Sequence, residues 1–142
     1  MEIVRVLGPA PTAPAEARLS LVPLSRAVSP DQLDDLRLVV SELVTNSVLH
    51  AGLTDRDSIT LSVAVRPDRV RVEVVDGGRG FAEASERPAS LGWGLPIVDR
   101  LADRWGTERT SETKVWAEFT LRPGRPARPS KPIAPVAESG PD

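Results

Sequence analysis

At 142 residues, a formal net charge of −2 and a sequence pI near 5.5, the chain has the size of one domain with one core, and it lacks the basic stripe of a nucleic-acid binder. It contains no cysteine, which excludes a disulfide framework, a thiolate metal site and a cysteine nucleophile. The N-terminus has no basic segment leading into an apolar run, and no apolar stretch approaches the roughly 20 residues that span a bilayer. The expectation is therefore a soluble cytoplasmic protein with neither a membrane nor a nucleic-acid partner.

Residues 2–7 (EIVRVL) alternate and are rich in β-branched side chains, which predicts a first strand at a sheet edge. Gly8, Pro9, Pro11 and Pro14 break it. Residues 15–27 (AEARLSLVPLSRA) have helical spacing at Ala17, Leu21 and Leu24, with Pro23 expected to kink that helix or split it in two.

Residues 29–52 (SPDQLDDLRLVVSELVTNSVLHAG) predict one long helix. Ser29 is suited to cap it, Pro30 to open it, Asp31 and Gln32 to complete the first turn, and Gly52 to stop it. Leu33, Leu36, Val40, Leu43, Val44 and Ser47 form its apolar face, and Asp34, Arg37, Ser41 and Thr45 a polar stripe. Glu42 and Asn46, one turn apart, belong to neither. They share a third side with Leu38, Val39 and Leu49, so that side is expected to be covered. A carboxylate among aliphatic side chains loses hydration and needs a partner, an ion or a ligand to compensate. An arginine partner for Glu42 and a backbone bond for Asn46 would satisfy the pair without any ligand.

Residues 59–65 (ITLSVAV) and 70–75 (VRVEVV) alternate on either side of the turn at 66–69 (RPDR), which has proline at its second position and predicts an antiparallel hairpin. The second strand runs into Asp76-Gly77-Gly78-Arg79-Gly80, followed by a polar segment over 81–91 and then Gly92-Trp93-Gly94-Leu95. Residues 95–105 (LPIVDRLADRW) predict a helix with Ile97, Val98 and Leu101 inward. A second hairpin is expected from 105–110 and 114–121 around a turn at 111–113. Beyond it Pro123, Pro126, Pro129, Pro132, Pro135 and Pro141 interrupt an aperiodic stretch, so residues 1–121 are expected to form the domain and 122–142 a disordered tail. The element order describes an α+β two-layer sandwich with helices on one face of a largely antiparallel sheet.

Three stations stand out in this frame. An Asp at a strand end beside glycines, such as Asp76, can accept a hydrogen bond from an exocyclic amine like that of adenine. Gly92 and Gly94 lead into a helix start, where free N–H groups favour phosphate oxygens. Asn46 offers a neutral oxygen to a hard cation such as Mg²⁺, and Glu42 could take a proton from an attacking hydroxyl. Each has a plainer explanation: glycine pairs are more often turns, Asp76 could be a turn residue, and His50, Trp93 and Trp105 suit structural roles. Arg79 and Arg87 suit a solvated surface, although Arg87 lies where it could reach a γ-phosphate.

Taken together and in this order, Glu42-x-x-x-Asn46, Asp76-x-Gly78-x-Gly80 and Gly92-x-Gly94-Leu95 resemble the N box and the two glycine boxes of the histidine-kinase-like ATPases. LRLVVSELVTNSVLHAG, VEVVDGGRGF and GWGLPIVDRLADRWG are similar, more closely, to small stand-alone regulators of the anti-sigma factor serine/threonine kinase type. The likeness covers residues 33–121. It implies the Bergerat fold, an α/β sandwich with a mixed, largely antiparallel sheet, together with ATP and Mg²⁺. It also implies that Glu42 is the general base, Asn46 the Mg²⁺ ligand, Asp76 the adenine reader, Gly78 and Gly80 the close-approach glycines, and Gly92, Gly94 and Leu95 the phosphate loop. Thr113 would match a threonine supporting the adenine contact, and residues 81–91 a lid that is short beside those of many relatives. No phosphoacceptor-histidine helix pair precedes the domain, which argues against a complete sensor histidine kinase. The implied activity is a serine/threonine protein kinase or weak ATPase acting on an anti-sigma-factor antagonist, with a sigma factor and a homodimeric second copy as further partners. A module that sequesters a partner in an ATP-dependent way without catalysis is the alternative.

Overall fold

A computed structural model describes residues 1–77 and 95–121. The proposed boundary between domain and tail, the glycines at 78, 80, 92 and 94, and the lid at 81–91 lie wholly or partly outside those residues, as do Arg79, Arg87 and Trp93.

Five strands form one sheet in the order β1-β2-β3-β5-β4, where β1 is Glu2–Leu7, β2 Ile59–Val65, β3 Arg69–Asp76, β4 Arg104–Arg109 and β5 Thr113–Thr120. Every ladder among them is antiparallel. Among the described residues strand β1 pairs only with β2 and lies at an edge, as its sequence predicts. The β2–β3 hairpin closes through Pro67 and Asp68: the Arg66 N–H donates to the Arg69 carbonyl at 2.8 Å, and the Arg69 N–H donates back at 3.4 Å.

Period-two patterning decides which face is covered. Ile59, Leu61 and Val63, then Val70, Val72 and Val74, then Val115, Ala117 and Phe119 are buried. They form one core with Leu33, Leu36, Val39, Val40, Leu43 and Val44 of the long helix and with Leu95 and Val98. Burying each such side chain contributes about 1.5–3 kcal/mol. The opposite face carries Arg71, Glu73, Lys114 and Glu118, joined in an ion-pair network. Burial lowers the proton affinity of the Arg71 guanidinium, but its hydrogen bonds to Glu73 and Glu118 outweigh that and hold it above the ordinary arginine value.

Among the described residues, three helices and a 3₁₀ turn accompany the sheet: α1 at Ala13–Ser20, the turn at Val22–Arg26, α2 at Pro30–His50 and α3 at Leu95–Leu101. Pro23 splits the predicted 15–27 segment, since its missing N–H and its ring end a continuous helical ladder. The first piece starts two residues earlier than expected, at Ala13, with a proline in its first turn.

Helix α3 is shorter than the predicted 95–105. Its last turn closes through the Ala102 N–H donating to the Val98 carbonyl at 2.9 Å, after which the chain is captured by β5. The Asp103 N–H donates to the Glu118 carbonyl at 2.8 Å, and the Asp103 carboxylate accepts from the Thr120 N–H at 2.6 Å. Trp105 therefore belongs to β4, opposite Ala117, and its indole N–H reaches back to Asp99 at 2.9 Å. Thr113, predicted as part of a turn, is already in β5. No helix among the described residues is long and apolar enough to cross a membrane.

Candidate functional site

Helix α2 is built as its sequence predicts. Ser29 Oγ accepts from the Gln32 N–H at 3.2 Å, while Gln32 Oε1 accepts from the Ser29 N–H at 3.3 Å, a complete capping box. At the other end Gly52 adopts a φ of 66°, the left-handed conformation that glycine takes without strain. Between these ends the helix is tied to α1 by Arg18 Nη1, which donates to Ser41 Oγ at 2.7 Å. A helix fixed at both ends and at its middle presents its side chains at a constant rotation.

The predicted apolar face is buried, including Ser47. Asn46 is also buried, at 9% exposure, and Val39 fully so. The side carrying Glu42 is more open than its composition suggests. Leu38 and Leu49, expected to be covered, are 46% and 65% exposed, and Glu42 itself is half-buried. Helical rotation correctly separates Glu42 and Asn46 from the core and from the polar stripe, but only Asn46 is turned far enough inward to be enclosed.

Asp76 is the last residue of β3 and is 3% exposed. Its place in the alternation, following Val70, Val72 and Val74, directs the carboxylate to the helix-covered face. It sits in the ladder between Ile59 of β2 and Thr113 of β5. Thr113 is 4% exposed and opens the run Val115, Ala117, Phe119 on the same face. Against them comes α2: Ser47 Oγ donates to Asp76 Oδ2 at 2.7 Å in a buried hydrogen bond. Residues from a helix and two strands, 29 positions apart between Ser47 and Asp76, thus meet at one end of the sheet.

Of the sequence-predicted site residues, Asp76 and Thr113 are brought together as cross-strand partners. Asn46 is the neighbour of Ser47 on α2, and Glu42 lies one turn before Asn46. Leu95 opens α3 as part of the hydrophobic core. His50 is the final residue of α2, half-exposed, and suits the negative end of the helix dipole. Gly78, Gly80, Gly92 and Gly94 lie outside the described residues. Gly77, which follows Asp76, has nothing within 4 Å of where a Cβ would stand. Ser47 is the residue missed by sequence reasoning. Its signal was a lone hydroxyl on an otherwise aliphatic face, since a buried hydroxyl requires a partner.

The donor set suits a nucleotide and a hard cation. Asp76, Ser47 and Thr113 form a buried polar cluster where α2 meets the ends of β3 and β5. Asn46, buried, and Glu42, half-buried, lie one turn apart on the same helix. Among the described residues no group of three or more His, Cys, Asp or Glu is placed to hold a metal by itself.

An antiparallel sheet with helices packed on one face, and a helix-borne Ser47 bonded to a buried strand-end Asp76, describe an α+β sandwich with a polar cluster at one end. A family model described as "Histidine kinase-like ATPase domain" matches residues 9–119, and the chain belongs to that family. Curated relatives agree. The chain is 24% identical over 105 residues to a protein named anti-sigma F factor from Caldanaerobacter subterraneus subsp. tengcongensis, covering 67% of this chain and 73% of that one. It is 37% identical over 103 residues to the serine-protein kinase RsbW of Listeria monocytogenes, with 61% of this chain and 66% of that protein covered. With RsbW of Bacillus subtilis the identity is 34% over 76 residues, covering 51% and 47%. The aligned segments thus span between about half and three quarters of these relatives.

Proposed function

We propose that this chain is an ATP-binding regulatory protein kinase of the anti-sigma-factor type, transferring the γ-phosphate of ATP to a serine or threonine of a protein antagonist and thereby controlling a sigma factor. The observation that carries this reading is the convergence of α2 with the end of β3. A buried Asp76 carboxylate is hydrogen-bonded to the residue next to Asn46, in a chain of the histidine kinase-like ATPase family. The substrate class is supported by relatives named anti-sigma F factor and serine-protein kinase.

In this reading Asp76 accepts from the exocyclic amine of adenine, with Thr113 beside it. Gly78 and Gly80 let the backbone approach the nucleotide, and Gly92, Gly94 and Leu95 form the loop that meets the phosphates. Asn46 would hold Mg²⁺ through its amide oxygen. Bound with the triphosphate, Mg²⁺ supplies neutralisation of charge on the phosphoryl oxygens. Glu42 stands one turn from Asn46 and is half-open to solvent, so a carboxylate there can meet a hydroxyl brought by a protein substrate. The hydroxyl oxygen attacks the γ-phosphorus, its proton passes to Glu42, and the bond to the bridging oxygen breaks. ADP leaves with the electron pair.

The test is incubation with γ-labelled ATP, Mg²⁺ and candidate antagonist proteins. Label on a serine or threonine of one of them is the expected result. Nucleotide binding without transfer to any antagonist would overturn the kinase assignment and favour the second reading, a module that uses ATP to sequester its partner. The anti-sigma F factor names among the relatives fit that second reading as well.

A further inference from the structure

The sheet has a second face that none of the described helices covers, since residues of α1, α2 and α3 all enter the single core. Across that second face the strand register sets Val4, Ser62, Glu73, Trp116 and Gly106 in one row from edge to edge. Val4 is 56% exposed, Val6 on the same face is 67% exposed, and Trp116 is half-buried. Glu2 and Glu108 occupy this face at the two edge strands, and both are exposed.

Residues 122–142 follow Leu121, which packs against the core and whose N–H donates to the Asp68 carbonyl at 2.7 Å. Their root is therefore fixed at the end of β5, the strand that carries Trp116. They begin RPGRPARPSKPIAP: proline recurs at every third position from Pro123 to Pro135, and Arg122, Arg125, Arg128 and Lys131 each precede one. Residues 122–131 hold these four cations and no acid, whereas residues 1–121 hold 14 Lys or Arg against 18 Asp or Glu.

We propose that residues 122–135 are a built-in ligand of this sheet face, laid across it from β5 toward β1 of the same chain. A polyproline II helix has three residues per turn, so the period-three repeat brings its prolines to one edge and its cations to another. The proline edge suits Trp116, because proline-rich segments dock on aromatic surfaces. The cationic edge suits Glu2, Glu73 and Glu108, because a carboxylate accepts several hydrogen bonds and those from arginine are charge-assisted. Reach is sufficient. At about 3.1 Å per residue, the segment 122–131 spans about 31 Å. Trp116 lies about 17 Å back along β5, and β1 stands about 14 Å from β5 across β3 and β2. The tether keeps the segment at an effective concentration in the millimolar range, so contacts that are individually weak suffice to seat it. Once seated, it closes this face to other proteins until it is displaced.

The experiment puts a spin label on the segment. The chain has no cysteine, so Ser130→Cys gives the full-length protein a single attachment point for a nitroxide, whose broadening of amide signals is read by NMR on the isotope-labelled chain. Signals of Ser62, Glu73 and Trp116 are expected to lose most of their intensity. Those of Leu38 and Leu49, on the exposed side of α2, should keep theirs. Adding Arg122→Glu, Arg125→Glu and Arg128→Glu to the labelled chain should restore the lost signals, and so should about 1 M salt, where the Debye length is roughly 3 Å. Absence of broadening, or broadening spread evenly over both sides of the molecule, would overturn the proposal. Broadening that survives the charge reversal would overturn it too. A last arm mixes spin-labelled chains with isotope-labelled chains that carry no nitroxide. The same broadening in that mixture would assign the ligand to a second copy and refute the intramolecular contact.

Discussion

Trp116 of β5 lies so close to Gly106, its cross-strand partner in β4, that a Cβ at position 106 would stand 2.8 Å from the indole ring. The guanidinium carbon of Arg71, from β3 on the other side, is 4.4 Å from the centroid of the same ring. An aromatic ring laid over an edge-strand glycine shields backbone that has no side chain of its own. On this face of the sheet Trp116 thus links Gly106 to Arg71, whose guanidinium also holds Glu73 and Glu118.

Replacing that glycine should therefore be costly. Gly106→Ala forces the indole away from the strand, and overpacking of this kind costs about 1–3 kcal/mol. Urea unfolding followed by tryptophan fluorescence will read the loss as a lower midpoint. An unchanged midpoint would mean that Trp116 can move without penalty.

Arg71 should matter through several contacts at once. It donates to Glu73 Oε1 at 2.8 Å and to Glu118 Oε1 at 2.7 Å besides stacking on Trp116. Arg71→Gln removes the charge while keeping much of the stem, and is expected to cost about 1–2 kcal/mol, since the network is partly exposed and screened. The loss should shrink in high salt. Because its neighbours raise the proton affinity of Arg71 in the folded chain, the stability it contributes is fully present below its unfolded value. That contribution is lost only as pH rises through the folded one, beyond the range of ordinary assays. Unfolding midpoints across neutral to mildly alkaline pH should accordingly show no loss traceable to this residue.

The roles proposed for Asp76 and Asn46 are separable by metal dependence. Adenine recognition needs no cation, so Asp76→Asn should weaken ATP binding at least about tenfold both in Mg²⁺ and in EDTA. Asn46→Ala should weaken it in Mg²⁺ and leave it unchanged in EDTA. Equal losses for the two variants in EDTA would refute the division of labour between them.

Glu42 is half-buried beside exposed Leu38 and Leu49, which makes substitution there mild for the fold. Glu42→Ala should keep ATP affinity within about threefold and lower phosphoryl transfer by roughly 10²–10⁴, the usual contribution of a general base. Transfer at the wild-type rate would take Glu42 out of the chemistry. Full regulatory activity in a variant without transfer would establish the sequestering mode.

Much of the architecture follows from local pattern. Two-residue alternation marks β2, β3 and β5 and identifies their buried sides, because a strand has only two faces. Ser29, Gln32 and Gly52 mark both ends of α2, because unpaired helix ends need particular side chains and backbone angles. Boundaries drawn from periodicity alone are less secure. Residues 102–105 continue a helical pattern, yet the hydrogen bonds of Asp103 with Glu118 and Thr120 recruit them to the sheet, and those partners are distant in sequence. Rotation about α2 likewise separates Glu42 from the core but carries no information about what covers Leu38 or Leu49.

The sequence by itself determined the spacing of Glu42 and Asn46, the place of Asp76 at the end of a strand, and the sandwich to which these elements belong. Each follows from periods of 3.6 and 2 residues and from end signals that act over a few positions. Only the tertiary structure decided that Ser47 meets Asp76, that Thr113 stands beside that carboxylate, and that Asn46 is enclosed while Glu42 stays half-open. Those facts depend on the docking of α2 across the sheet, where a contact spanning 29 positions is set by packing of the whole core. Local patterning selects the face a side chain occupies, and the packed partner selects what that side chain can do.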